Sequence, residues 1–381
     1  MAAPAGRSPD LAEIFRAHAP ALDHLGPQRR RVVRDVMNCR TAALGGHLQV
    51  CDQCGRQTPL YNSCRNRHCP KCQSLDQARW VEAQARHLLP VPYFHVVFTV
   101  PTSIHACLLS DRPKGYALLF KAAIEALHDV CRQRMGATPS TVAILHTWSQ
   151  TLVFHPHIHC IVTGGGLSAS RDRWISTRPN FLVPVRVLSR VFRGKLLHFL
   201  AQDLRPGSSS RRRLLRQALA REWVVYSKPP MAGPEQVLRY LGRYTHRIAI
   251  GNERLVALAD GQVTFSYRDR RRGNQRRLLT LDAPHFVHRF LLHVLPRRFV
   301  RVRHYGLQAN GCRTRLLAQA RALLRAPIPP RTESTQRIPW KDLYLKITGR
   351  DPDLCRACGR GVLRVIGVLA PTLPAPCGRA P

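Results

Sequence analysis

The run His155-Pro156-His157-Ile158-His159 constrains this chain more than any other stretch, because it opens an apolar segment, Cys160-Ile161-Val162-Thr163, that ends in Gly164-Gly165-Gly166. Residues two apart on a strand share one side. A strand here would present the imidazoles of His157 and His159 together, with Ile158 packed behind them. Two adjacent imidazoles make half of a metal site. About eighty residues later, Tyr240-Leu241-Gly242-Arg243-Tyr244 places two tyrosines at i and i+4, which is one face of a helix. Taken singly, strand histidines are more often satisfied polar groups, and tyrosines at this spacing more often a packing stripe. Together they suggest a tyrosine attacking a metal-polarised phosphodiester.

Charge supports that direction. The 381 residues hold 60 Lys and Arg against 22 Asp and Glu, a formal charge of +38, yet 44% are hydrophobic. Such a chain can build a core, which excludes a disordered basic tail. A globule this basic repels itself without a polyanion, and nucleic acid is the obvious partner. Only seven of the basic residues are Lys. A GC-rich genome would explain Arg replacing Lys, but not the scarcity of acids. No apolar run approaches the roughly 18 residues of a membrane helix, and the first residues lack a signal core, so a cytoplasmic protein without a membrane span is expected.

Thirteen cysteines, an odd number, argue for thiolate metal sites over a disulfide framework. Cys51-x2-Cys54 and Cys69-x2-Cys72, fourteen residues apart, predict one tetrahedral structural zinc. Between the pairs lie Cys64 and His68, as alternative ligands or structural residues, with Arg65 and Arg67 as candidate DNA contacts. A further pair, Cys355-x2-Cys358, has Cys377, Cys312 or no residue as its partner.

The predicted elements are helices from Ser8, over 29–44, 75–89, 116–134, 186–204 and 234–243, and from Asp282 to Leu295. Strands are predicted at 93–100, 141–148, 157–163 and 223–226, with a hairpin around Asp260-Gly261 and a flexible basic linker over 206–213. Beyond Ala326 the chain turns Pro- and Arg-rich and loses periodicity. The expected class is α+β: an antiparallel sheet covered by helices on one face and open to a nucleic-acid strand on the other. Three regions follow: helices and a zinc ribbon over 1–90, a catalytic domain over 91–310, and a basic C-terminal region over 311–381.

His155-Pro156-His157-Ile158-His159 with its glycines resembles the histidine-hydrophobe-histidine motif of the HUH endonucleases. Tyr240-Leu241-Gly242-Arg243-Tyr244-Thr245-His246-Arg247 resembles the two-tyrosine motif of rolling-circle transposases. Asn62-Ser63-Cys64-Arg65-Asn66-Arg67-His68-Cys69-Pro70-Lys71-Cys72 resembles the zinc module of the IS91 family. The resemblance spans about Cys51 to Tyr305. It implies a transposase that cuts and rejoins single-stranded DNA at element ends through a covalent 5′-phosphotyrosine. Unlike related helicase-bearing elements, the chain has no Gly-x4-Gly-Lys-Ser/Thr loop. Strand separation must come from elsewhere, with a host helicase, the replication machinery and a second copy of the chain as open partners.

Within that scheme His157 and His159 hold the catalytic cation, Mg²⁺ or Mn²⁺. His146, on the partner strand of the hairpin, is the candidate third ligand, with Gln150, His155 and His246 as rivals. Tyr240 or Tyr244 attacks, the order being open. Arg243 and Arg247 hold the phosphate, and the tract Arg270-Arg271-Arg272 contacts the DNA backbone. Two alternatives remain: a relaxase or rolling-circle replication initiator, and a non-catalytic zinc-dependent DNA-binding protein.

Overall fold

The computed structural model describes residues 8–20, 22–202, 209–231, 236, 237, 240, 242, 248–269, 272–327 and 339–372. The chain opens with α1 (Leu11–His18), started by a capping box in which Asp10 accepts from the Glu13 amide and Glu13 accepts from that of Asp10, and α2 (Pro27–Asn38). A hairpin of β1 (Gly46–Cys51) and β2 (Gln57–Tyr61) precedes α3 (Gln73–Ala85) and β3 (Tyr93–Thr99). Next come α4 (His105–Ser110) and the long α5 (Arg112–Met135), which the Asp111 carboxylate caps and Gly136 ends in the left-handed region, at φ 74°. Then follow β4 (Ala137–Trp148), β5 (Phe154–Ser168), β6 (Trp174–Ser176), α6 (Val185–Gln202), α7 (Ser209–Leu219) and β7 (Val225–Met231). The rest is β8 (Leu255–Ala259), β9 (Gln262–Asp269), β10 (Gln275–Asp282), α8 (Ala283–Leu292), β11 (Val302–Gly306), α9 (Arg313–Leu323), α10 (Trp340–Thr348) and β12 (Leu363–Leu369).

Among the described residues the strands form three antiparallel sheets. The largest runs β11-β4-β5-β3-β7, with β6 added to the far end of β5; the others are β12-β1-β2 and β10-β9-β8. Strand periodicity splits the large sheet. Phe94, Val96, Phe98, Ala143, Leu145, Ile158, Cys160 and Val162 point to one side and form a core with Phe120 and Leu127 of α5 and Phe192 and Leu196 of α6. Each buried Val, Leu, Ile or Phe among them contributes roughly 1.5–3 kcal/mol. Tyr93, Ile144 and Ile161 point to the other side and pack with Val237 and with Leu316 and Leu317 of α9. A third core joins α1 and α2 to α8 and β9, with Phe15 edge-on to Phe290 at 5.4 Å.

The α+β class is as expected, but several details differ. The second sheet face is partly covered by α9 and its neighbours, because Tyr93, Ile144 and Ile161 supply an apolar patch beside the histidines. The helix expected over 29–44 stops at Asn38, with Cys39 as its cap. The Ser/Arg segment expected as linker is helical from Ser209, since Leu215 and Ala218 bury one side of α7. The region beyond Ala326 contains α10 and β12, and β12 pairs with β1 at the opposite end of the sequence. Among the described residues, no helix is long and apolar enough to cross a membrane.

Two histidines used for packing generate a pH dependence. Burial depresses His128 to about 4, although its Nε2 meets the Thr141 hydroxyl at 3.2 Å. Burial likewise lowers His293 to about 4, beside the Leu152 carbonyl at 3.0 Å. Both are neutral when folded and protonate near 6.5 when unfolded. The stability they contribute is present above pH 6.5 and is lost as pH falls toward 4, at about 1.4 kcal/mol per pH unit for each. Urea unfolding of the zinc-loaded chain should show a lower midpoint at pH 5 than at pH 7. In the folded chain the imidazole NMR signals of His128 and His293 should not titrate above pH 5.

Candidate active site and metal centres

His157 and His159 lie two apart on β5, and the antiparallel register places His146 of β4 directly opposite His157. All three therefore share the second face of the sheet. One ring nitrogen from each lies within 4.8 Å of the others. His146 and His159 are buried and His157 is half-buried, so the cluster opens to one side. His146 also stacks on Trp148 at 4.7 Å, which fixes its ring plane. The Nδ1–H of His157 donates to the His155 carbonyl at 2.6 Å, which leaves the lone pair on Nε2. Three imidazoles placed so, each in its neutral form, would suit a divalent cation that must also take substrate oxygens.

One residue of the site was not foreseen. His95 on β3 faces the same side; its Nε2 lies 2.8 Å from His159 Nδ1, and the two rings are parallel within 6°. Tyr240 Oη lies 2.5 Å from His95 Nδ1 and 3.1 Å from its Nε2. A continuous polar path thus runs from a tyrosine of the Tyr-x3-Tyr motif to the histidine cluster. The sequence signal was present in the strand His95-Val96-Val97-Phe98, but a lone histidine in a buried strand gives no sign of which distant strand it meets. Tyr240 sits on a helical stretch that presses on α3: a Cβ at Gly242 would lie 3.1 Å from Val81 Cγ2 and 3.2 Å from Gln77 Nε2. Tyr244, Arg243, His246, Arg247, Arg270 and Arg271 lie outside the described residues. Arg272 is exposed in the turn between β9 and β10. Of the rival third ligands, Gln150 gives its carbonyl to the Arg254 guanidinium, and His155 gives its carbonyl to His157.

The cysteines do not assemble as one ribbon. Cys69 and Cys72 join Cys39 and Cys64, whereas Cys51 and Cys54 join Cys355 and Cys358. The reason is the β1–β2 hairpin. Cys51 and Cys54 sit at its turn, Cys64 to Cys72 beyond its base, and arms of about five residues separate the two by roughly 17 Å. In the first cluster Cys39 Sγ and Cys64 Sγ lie 3.5 and 3.6 Å from Cys72 Sγ. A tetrahedron with Zn–S near 2.3 Å has edges of about 3.8 Å, whereas a disulfide would need about 2.05 Å. The spacing therefore fits zinc held by thiolates. Hydrogen bonds from Cys39, Cys64 and Cys69 push the Cys72 thiol far below its usual range, as expected of a thiolate among thiols.

One further expectation is corrected: Arg67 does not face outward, and its guanidinium donates to the carbonyls of Phe299 and Pro296 at 2.5 and 2.8 Å. Of the two alternatives for His68, the structure takes the structural one: the ring is no member of the cysteine cluster but accepts from the Leu295 amide at 3.4 Å, and burial lowers it to about 3. Together they seal the zinc loop onto the 295–299 segment. Arg65 remains exposed.

Two protein-family models match the chain: one described as "Putative transposase" over residues 140–315, and one described as "Transposase zinc-binding domain" over residues 11–100. "Putative transposase y4qJ" of Sinorhizobium fredii (strain NBRC 101917 / NGR234) is 44% identical over 379 residues, covering 94% of this chain and 95% of that protein. "Transposase for insertion sequence element IS801" of Pseudomonas savastanoi pv. phaseolicola is 26% identical over 343 residues, covering 86% of this chain and 81% of that protein. No solved structure matches. The protein is thus a transposase, an enzyme that works on DNA and carries structural zinc. It belongs to the IS91 family.

Arg67 and Arg65 should separate structural from DNA-binding arginine. Arg67→Ala should destabilise the fold by about 1–3 kcal/mol in denaturant titration, since two carbonyls lose a charged donor. It should leave the salt dependence of DNA binding unchanged. Arg65→Ala should do the reverse, lowering the salt slope by up to about one with little change in stability.

Proposed function

We propose that this transposase cuts and rejoins single-stranded DNA at its element ends through a covalent 5′-phosphotyrosine. The observation that carries the reading is the path from Tyr240 Oη through His95 to His159, a member of the histidine cluster. His146, His157 and His159 would hold Mg²⁺ or Mn²⁺, which supplies charge withdrawal from the scissile phosphate.

The chain's own residues do the rest. With Nδ1–H of His159 donating to His95 Nε2, the proton of a neutral His95 would sit on Nδ1, the ring nitrogen nearer the Tyr240 oxygen. His95 then stabilises negative charge on that oxygen as the phenolic proton departs to water. Tyrosine ionises near 10, so this stabilisation matters at neutral pH. The Tyr240 oxygen bonds to phosphorus, the P–O3′ bond breaks, and the released 3′ end takes up a proton. In the reverse step a 3′-hydroxyl reclaims the phosphate and tyrosinate leaves. Tyr244 offers a second nucleophile, so that one tyrosine holds an end while the other cuts. Arg243 and Arg247 steady the phosphate, and Arg65 with the Arg270–Arg272 tract tracks the DNA backbone. Strand separation falls to a host helicase or the replication machinery, in the cytoplasm, with the transposon copied by a rolling circle.

The test uses 5′- and 3′-labelled single-stranded oligonucleotides spanning element ends, incubated with Mg²⁺ or Mn²⁺ and resolved on a denaturing gel. A protein adduct retaining the DNA 3′ of the cut is expected, and it should vanish in the Tyr240→Phe/Tyr244→Phe double variant. His157→Ala and His159→Ala should abolish it. His95→Ala should slow it by roughly 10²-fold with zinc content and DNA affinity unchanged. Tight binding with no adduct at any end would sink the reading.

A further inference from the structure

The second cysteine cluster has features of a built site, and its C-terminal half, Cys355 and Cys358, lies beyond both family matches. Cys51-Asp52-Gln53-Cys54-Gly55 and Cys355-Arg356-Ala357-Cys358-Gly359 are two copies of one knuckle. In each, the glycine is in the left-handed region, at φ 66° for Gly55 and 69° for Gly359. In each, that glycine's amide donates to the carbonyl of the first cysteine, at 3.0 and 2.9 Å. The knuckles face one another with Cys51 Sγ 3.7 Å from Cys358 Sγ and Cys54 Sγ 3.9 Å from Cys355 Sγ. Both distances match the edge of about 3.8 Å expected for tetrahedral ZnS₄. The Gly361 amide lies 3.3 Å from Cys358 Sγ, and a Cβ at Gly361 would fall 2.3 Å from Cys51 Sγ, so only glycine lets the chain pass the sulfurs.

This cluster joins parts of the chain 301 residues apart, from Cys54 to Cys355. β12 pairs along the full length of β1, and the Asp52 carboxylate accepts from the Val362 amide at 2.8 Å. Upstream of the cysteines, α10 lies against α3, with Lys346 3.7 Å from Glu82. The first cluster is buried throughout, whereas here Cys54 is exposed and Cys358 half-buried.

We propose that Cys51, Cys54, Cys355 and Cys358 bind a second structural zinc that clasps the C-terminal segment onto the N-terminal hairpin, and that this zinc exchanges faster than the one held by Cys39, Cys64, Cys69 and Cys72. A ribbon whose two knuckles come from opposite ends of the chain cannot form until both ends are made, so this metal closes the fold last. Opening it would free α10 from α3, the helix that also supports Gly242 beside Tyr240.

The full-length chain tests this without reference to activity. Elemental analysis should give two zinc ions per chain, and release to a chromogenic chelator should be biphasic with equal amplitudes. Alkylation mapped by mass spectrometry should show all eight cysteines protected in the loaded chain. During chelation, Cys51, Cys54, Cys355 and Cys358 should become reactive at one common rate, ahead of the other four. The Cys355→Ser/Cys358→Ser variant should hold one zinc and lose the fast phase. The proposal is overturned if the wild-type chain holds one zinc, or if Cys355 and Cys358 react in the untreated chain at the rate of free thiols. It is overturned equally if the variant keeps two. The native-chain alkylation decides the matter even where the double variant fails to fold.

Discussion

The register between β4 and β5 is the constraint on which the candidate active site depends. Sliding one strand by a single residue would turn His157 and His159 into the core packed by α5 and α6, and would bring Ile158 out. The pin is at the far end of the pair. A Cβ at Gly166 would lie 2.2 Å from the Thr138 carbonyl, so the strands approach there more closely than any side chain permits. The pairing shifts at the adjoining irregularity between Pro139 and Thr141 and again between His146 and Trp148, so the histidines lie in the stretch of constant register between the two. The glycine run after the histidines therefore fixes their facing, at a distance of several residues, and need not touch a ligand to matter.

The same logic explains the second layer of the site. His95 faces the cluster because β3 pairs with β5 with Val97 opposite His159, which sets His95 diagonally beside it. Tyr240 reaches His95 because its helix can press onto α3 at Gly242. α3 in turn begins at Cys72, a residue of the first zinc cluster. The tyrosine is thus positioned through a chain of contacts: zinc cluster, α3, glycine contact, histidine. That gives the family's zinc module a part in arranging the candidate site, in addition to any contact it makes with DNA.

Much of this was legible in the sequence wherever the signal was local. The period-2 placement of His157 and His159, the hairpin partner His146, the end of α5 at Gly136 and the Asp260-Gly261 turn all follow from neighbours within a dozen residues; the start of α5 at Arg112, four residues before the expected Tyr116, does not. What escaped was non-local. Cys51-x2-Cys54 and Cys69-x2-Cys72 share a spacing that permits one zinc, and only the length of the intervening hairpin forbids it. Cys39 carries no motif because it enters its cluster from the end of α2. Cys355 and Cys358 find their partners across the whole chain, and β12 gives no alternation signal, with Val365, Ile366 and Val368 all exposed. His95 was invisible for the same reason.

The charge of +38 also reads differently once the structure is considered. Arginine in this chain is in part a structural donor. Arg67 holds two carbonyls of the 296–299 loop, Arg254 those of Ser266, Ala249 and Gln150, and Arg321 those of Arg86 and Leu88. Arg301 is buried outright, and desolvation lowers it to about 10. A planar guanidinium with five donors does this better than an ammonium, which gives the excess of Arg over Lys a physical reason beyond genome composition. Net charge therefore overstates the surface offered to DNA. The arginines left exposed, and so the ones our proposal assigns to DNA, include Arg65 beside the first zinc cluster and Arg272, Arg276 and Arg277 on the β9–β10 hairpin. A DNA-binding surface read from this chain should be built from exposure and position, with the carbonyl-holding arginines assigned to the fold.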